Sequence, residues 1–108
     1  MKLHRILAEG GAISDVTDVM TGDTYLDAVL VHVSTAPTTS EYFSITVESV
    51  AGSAYDTVLY RIDLSAASTT DIVLTPSDLA LPLLAGDALR TAYANTDGRT
   101  IGATYLLR

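Results

Sequence analysis

From Phe43 to Glu48 the chain alternates without a break, with Phe43, Ile45 and Val47 on one side of an extended backbone and Ser44, Thr46 and Glu48 on the other. Successive side chains of a strand point to opposite faces, so this pattern predicts a strand with one face in a core and one in water. Thr57 to Leu64 follows the same rule, with Val58, Tyr60, Ile62 and Leu64 inward and Thr57, Arg61 and Asp63 outward. Leu59 breaks that alternation and is assigned to contact with a neighbour. Tyr25 to Ser34 places Val29, Val31 and Val33 on one face and Leu30 and His32 on the other, which predicts a central strand contacted on both sides. Further strands are predicted at Leu3–Ala8, Ile13–Val19, Asp71–Leu74, Leu79–Leu84, Ala88–Ala94 and Thr100–Leu107, the last with Ile101, Ala103, Tyr105 and Leu107 on one face.

The segments between are turn chemistry. Asn95-Thr96-Asp97-Gly98 holds a glycine where a turn needs a left-handed residue, and predicts a hairpin joining the last two strands. Ala85-Gly86-Asp87 predicts a sharp reversal, and Ala51 to Ala54 and Ser65 to Thr70 read as exposed loops. The nearest approach to a helical stripe, Ser77 to Ala85, contains Pro82 and allows a single helical turn. Strands recurring roughly every eight to twelve residues without helices predict an all-β fold, an antiparallel β-sandwich of jelly-roll type with eight or nine strands. Residues 1–108 form one domain, in which 1–13, set off by Gly10-Gly11, is either an N-terminal arm that adds as a strand to a neighbouring subunit or an edge strand of its own sheet.

Composition narrows the function. Thirteen acidic against six basic side chains give a net charge of -7, which repels phosphates and anionic headgroups, so neither nucleic acid nor membrane is an expected partner. The opening residues carry charge where a secretory signal needs an apolar run, which predicts a protein made in the cytoplasm. The absence of cysteine removes disulfides, thiolate metal sites and a cysteine nucleophile. With two histidines and no nucleophile-elbow serine, no catalytic residue, cofactor or metal ligand is assigned and the protein is expected not to be an enzyme. Asp15, Asp18 and Asp23, and the Asp87 and Asp97 turns, lack the regular spacing of a calcium loop and read as turn formers. His32, opposite the valine face, reads as structural or interfacial.

Six tyrosines against one phenylalanine and no tryptophan suggest surfaces that are packed on one side and wet on the other. Tyr60 and Tyr105 fall in register with core residues, leaving Tyr25, Tyr42, Tyr55 and Tyr93 freer. The candidate interface is therefore Leu3, His4 and Ile6 of the N-terminal segment together with Tyr25, Leu30, His32, Leu59 and Tyr93.

Residues 83–102, an apolar strand, the Gly86-Asp87 turn, a strand ending in Tyr93-Ala94-Asn95, the Asp97 turn and a final strand, resemble the carboxy-terminal part of small structural proteins of tailed bacteriophages. The Gly-Asp turn also resembles that of trimeric jelly-roll heads related to tumour necrosis factor and complement component one q. The resemblance implies a jelly roll, often a trimer, and a non-enzymatic virion component assembled in the host bacterial cytoplasm. The expected role is capsid decoration, cementing the head shell by binding the major capsid protein or other virion proteins. The alternative is a neck, tail or fibre module, including one that recognises carbohydrate through exposed Tyr and Asp.

Overall fold

Period-two burial runs through the computed structural model, which describes residues 2–66, 70–75 and 81–108. Nine strands appear among the described residues: β1 (Lys2–Glu9), β2 (Ile13–Val16), β3 (Thr24–Val33), β4 (Tyr42–Glu48), β5 (Thr57–Asp63), β6 (Asp71–Leu74), β7 (Leu81–Leu83), β8 (Ala88–Tyr93) and β9 (Thr100–Leu107). A single 3₁₀ turn, Ser53–Tyr55, precedes β5. One sheet has the order β1-β9-β3-β6, with β7 also paired to β3, and the other the order β2-β8-β4-β5. Every pairing is antiparallel.

The sheets pack face to face because each turns an apolar row inward. β9 contributes Ile101, Ala103, Tyr105 and Leu107, β3 contributes Leu26, Val29, Val31 and Val33, and the opposing sheet answers with Phe43, Ile45, Leu89 and Tyr93. Each fully buried Leu, Ile, Val or Phe contributes about 1.5–3 kcal/mol relative to exposure, so this shared layer holds the sandwich together without any covalent link. The fold is thus the antiparallel β-sandwich that the alternation predicts.

Two details depart from expectation, and a third decides between two open readings. β8 and β9 do not form a hairpin: they belong to different sheets, and each is an interior strand, β9 held between β1 and β3 and β8 between β2 and β4. The Asn95–Gly98 turn has the expected left-handed residues, with φ of 53° at Asn95 and 67° at Gly98, but it carries the chain across the edge of the core. Asn95 is buried there, its side-chain amide donating to the carbonyls of Gly11 and Arg99 and its oxygen accepting from the Arg99 N–H, each at 2.9 Å. The β1–β2 crossover runs alongside, tied by the Gly10 N–H to the Arg99 carbonyl at 3.2 Å.

The second departure is in β5, whose register against β4 slips between Ile45 and Thr46, so that Tyr60 opposes Ile45 but Val58 opposes Thr46. Leu59 is the extra residue of a bulge. One inserted residue reverses the parity of the strand, so Val58 is exposed rather than core, while Leu59 is half-buried against the core and not turned out toward a neighbour. Of the two readings of the N-terminal segment, β1 is the edge strand of its own domain, paired to β9 from Lys2↔Leu107 to Glu9↔Thr100. Of the Ser77 to Ala85 segment, 77–80 lie outside the described residues and Leu81–Leu83 is strand.

Candidate interaction face

The outward face of the β1-β9-β3-β6 sheet can be read row by row from its register. One row runs Leu7, Gly102, His32, Asp71; the next Arg5, Thr104, Leu30, Val73; the next Leu3, Leu106, Ala28. Their chain neighbours fill the core, so these side chains face away from it. Leu7 is 75 % exposed, Val73 62 % and Leu30 43 %, and Leu3 is exposed as well. Gly102 leaves a gap in the pleated surface, because a β-carbon there would touch Leu7 Cδ2 at 3.4 Å and none is present. The result is a shallow furrow of about 390 Å³ lined by Arg5, Leu7, Leu30, His32, Asp71 and Val73.

Two polar pairs lie on this face, and Glu9 at its margin has no partner among the described residues. His32 Nδ1 lies 2.7 Å from an Asp71 carboxylate oxygen, and this hydrogen bond, with a second from the Thr70 hydroxyl, holds the Asp71 carboxyl below its usual range. Arg5 Nε donates to Thr104 Oγ1 at 3.3 Å. The outer face of the other sheet mixes exposed Val16, Tyr42 and Val58 with Ser44, Thr46, Arg61 and an Arg90–Glu48 ion pair of 2.8 Å, with the Arg61 guanidinium 3.6 Å above the Tyr42 ring. An apolar row left in water forgoes about 25 cal/mol for every Å² that could be buried, and contiguous patches of this type mark contact surfaces.

Of the candidate interface residues, Leu3, Leu30 and His32 come together on this face. Ile6 and Tyr93, expected to be available to a partner, are core residues at 7 % and 2 % exposure. The strand pleat turns Ile6 inward between outward-facing Arg5 and Leu7, and Tyr93 packs against Phe43 with ring centroids 6.3 Å apart. Burial raises the Tyr93 hydroxyl above its ordinary pKa, and that oxygen has no hydrogen-bond partner among the described residues. A glycan-stacking role for Tyr93 is therefore removed. His4 joins the two sheets, with Nε2 2.7 Å from Asp15 and its ring stacked on Tyr105 at 6.1 Å. Tyr25 is exposed but lies under the Arg108 guanidinium, which Asp27 fixes at 2.9 Å. Leu59 sits in the bulge described above.

Leu7, Val73, Asp71 and Gly102 are the members of this face that the strand patterns do not single out. The signal for Val73 is present in Ile72-Val73-Leu74, an uninterrupted apolar run that makes both faces of a strand apolar, as does Ile6-Leu7-Ala8 for β1. Only the register that places β1 and β6 on the same sheet as β3 shows that these extra apolar positions coincide.

The acidic turn residues act as local anchors. Asp97 accepts from the Thr38 and Thr39 N–H groups at 2.7 and 2.8 Å and from the Thr39 hydroxyl at 2.6 Å, and these bonds, the hydroxyl foremost, hold its carboxyl down to about 2. Asp87 accepts from the Val50 and Leu84 N–H groups at 2.9 and 3.0 Å. Among the described residues no three His, Cys, Asp or Glu side chains converge as a metal ion would need. In comparisons with known proteins no family model matches the chain and no curated protein is significantly similar to it.

Proposed function

We propose that this chain is a non-enzymatic structural protein of a tailed-phage particle, a capsid decoration protein that docks through the outer face of its β1-β9-β3-β6 sheet onto the major capsid protein. The observation that carries this reading is the grouping of exposed Leu3, Leu7, Leu30 and Val73 on that one face, around a shallow furrow. A domain that only had to remain soluble gains nothing from Leu3, Leu7, Leu30 and Val73 in water. The jelly-roll assignment draws support from the interleaved strand orders, in which chain neighbours β1 and β2, β3 and β4, and β8 and β9 lie in opposite sheets. The likeness of residues 83–102 to phage structural proteins supplies the virion setting.

Four strands about 4.8 Å apart, read over about seven residues of 3.3 Å rise, give a face of roughly 400 Å². That is about half of what one partner contributes to a standard interface, so neighbouring copies or loops must add contact area. A double variant, Leu30→Glu with Val73→Glu, keeps both core faces intact and places charge at the centre of the face. Cosedimentation with empty head shells of the encoding phage is expected to fall by more than a hundredfold in affinity, since each buried aliphatic side chain is worth about 1.5–3 kcal/mol and 1.4 kcal/mol is tenfold. Undiminished shell binding by a folded double variant overturns the docking face, and immunogold label on the neck, tail or fibres in place of the shell overturns the decoration role.

A further inference from the structure

Of the five strands at the sheet edges among the described residues, four are short or bulged, which discourages pairing with other chains. β2, β6 and β7 are short, Ile13–Val16, Asp71–Leu74 and Leu81–Leu83, and β5 is bulged at Leu59. β1 is the exception: it pairs with β9 in an unbroken register from Lys2 to Glu9 and contains no proline or glycine. Its other edge is unpaired among the described residues.

Which backbone groups line that edge follows from the hydrogen-bond alternation of an antiparallel ladder. The Gly10 N–H donates to the Arg99 carbonyl on the β9 side, and the Ser34 N–H donates to the Thr100 carbonyl on the β3 side. Both observations turn the N–H and C=O groups of the even-numbered β1 residues toward β9. Those of Leu3, Arg5, Leu7 and Glu9 therefore point outward, available to another strand.

The geometry points to a second copy of this chain as that strand, pairing β1 with β1 antiparallel about a two-fold axis at Leu7. A two-fold axis normal to the sheet keeps the outer face outward, so odd residues oppose odd residues. Among the registers this allows, centring on Arg5 brings like charges together. Centring on Leu7 sets Arg5 opposite Glu9 of the copy on both sides of a Leu7–Leu7 pair. Glu9 has no hydrogen bond or ion pair among the described residues, and Arg5 has only its 3.3 Å contact to Thr104, so both are free to form these cross-strand pairs. Arg5–Glu9, Leu7–Leu7 and Glu9–Arg5 then exchange both backbone bonds, and Leu7, the most exposed large apolar side chain of the strand, is covered by its own counterpart. The sheet becomes continuous across the dimer, and its apolar outer face grows to about 800 Å², a standard contribution to an interface. The pairing stands on β1 alone and does not require the capsid role; its product is a dimer where the resemblance implies a trimer.

The chain has no cysteine, so one engineered thiol reports the pairing cleanly. Hydrogen-bonded antiparallel pairs have Cα atoms about 5.5 Å apart, within the span of a disulfide. Leu7→Cys is expected to oxidise to a covalent dimer, and Leu84→Cys, an exposed site away from β1, is not. By sedimentation equilibrium the native chain is expected to be dimeric, Arg5→Glu and Glu9→Arg each monomeric, and the double variant Arg5→Glu with Glu9→Arg dimeric again. Circular dichroism on each variant separates loss of pairing from loss of fold. A monomeric or trimeric native chain overturns the proposal, as does a dimer that survives either single reversal, a double reversal that stays monomeric although folded, or a native dimer in which Leu7→Cys fails to cross-link. None of these outcomes depends on shell binding, so failure of the pairing and failure of the docking face are read separately.

Discussion

Replacing Asn95 by Ala removes the clamp that holds the two crossovers together, and its cost can be worked from the geometry. The amide donates to the Gly11 and Arg99 carbonyls and accepts from the Arg99 N–H, all at 2.9 Å, in a side chain almost wholly buried. Gly11 is exposed, so its carbonyl regains water and accounts for only about 0.5 kcal/mol. The Arg99 carbonyl keeps the Gly10 N–H and likewise loses little. The Arg99 N–H is left without its acceptor in a part-buried site, costing about 1–2 kcal/mol. The backbone at φ 53° suits Asn but strains Ala by about 1 kcal/mol. The sum is about 3 kcal/mol, a large share of the 5–15 kcal/mol ordinarily available to a domain. Asn95→Gly loses the same bonds without the backbone strain and should cost about 1 kcal/mol less than Ala. Urea unfolding followed by tyrosine fluorescence and far-ultraviolet circular dichroism measures both, as midpoint shifts at unchanged slope. An Asn95→Ala cost under about 1 kcal/mol, or a Gly variant less stable than the Ala variant, refutes the clamp.

Three further outcomes are expected. Tyr105→Phe strands the buried Thr91 hydroxyl that its phenol meets between the sheets and should cost about 1–3 kcal/mol, most of which returns on adding Thr91→Val; thermal unfolding of the four members of the cycle checks this. Gly86→Ala places a β-carbon 2.4 Å from Val50 Cγ2 and 2.9 Å from Val50 Cβ at a φ of 91° and should destabilise by about 1–3 kcal/mol, of which Val50→Ala restores only the part due to Cγ2. Hydrogen bonds from Thr39 and Thr38 hold the Asp97 carboxyl down to about 2 from an ordinary 3.8, so its grip on them contributes fully above about pH 4 and is lost as pH falls through about 2. Carboxyl carbon shifts of Asp97, followed by NMR from pH 5 to pH 1.5, should give that midpoint; an ordinary aspartate titration near 4 contradicts it.

How far the sequence reveals this molecule depends on the range of the interaction involved. Period two identifies the core of β9, β3 and β4 residue by residue, because burial of one strand face is a local property of the pleat. Turn chemistry likewise marks Gly86 and Gly98 as left-handed residues. It does not reveal which strands a turn joins: the Asn95–Gly98 turn fits a hairpin or a crossover, and the choice falls to β1, β3, β2 and β4 competing for the edges of β9 and β8. The bulge at Leu59 shows in the sequence as a broken alternation, yet which side of the break flips is fixed only by Ile45 and Thr46 across the ladder. The interaction face is half legible for the same reason. Leu3, Leu30 and His32 are visible as apolar or polar residues on second faces. Leu7 and Val73 join them through pairing between segments far apart in the chain, while Ile6 and Tyr93 are drawn inward by the same pairing.

The most direct test of the account is covalent footprinting of the outer faces by carbene labelling, free and bound to head shells. Leu30 and Val73 should label readily in the free protein and lose most of that labelling when bound, while Val16 and Val58 of the second sheet label equally in both states. Protection of Val16 and Val58 with Leu30 and Val73 still open would contradict it.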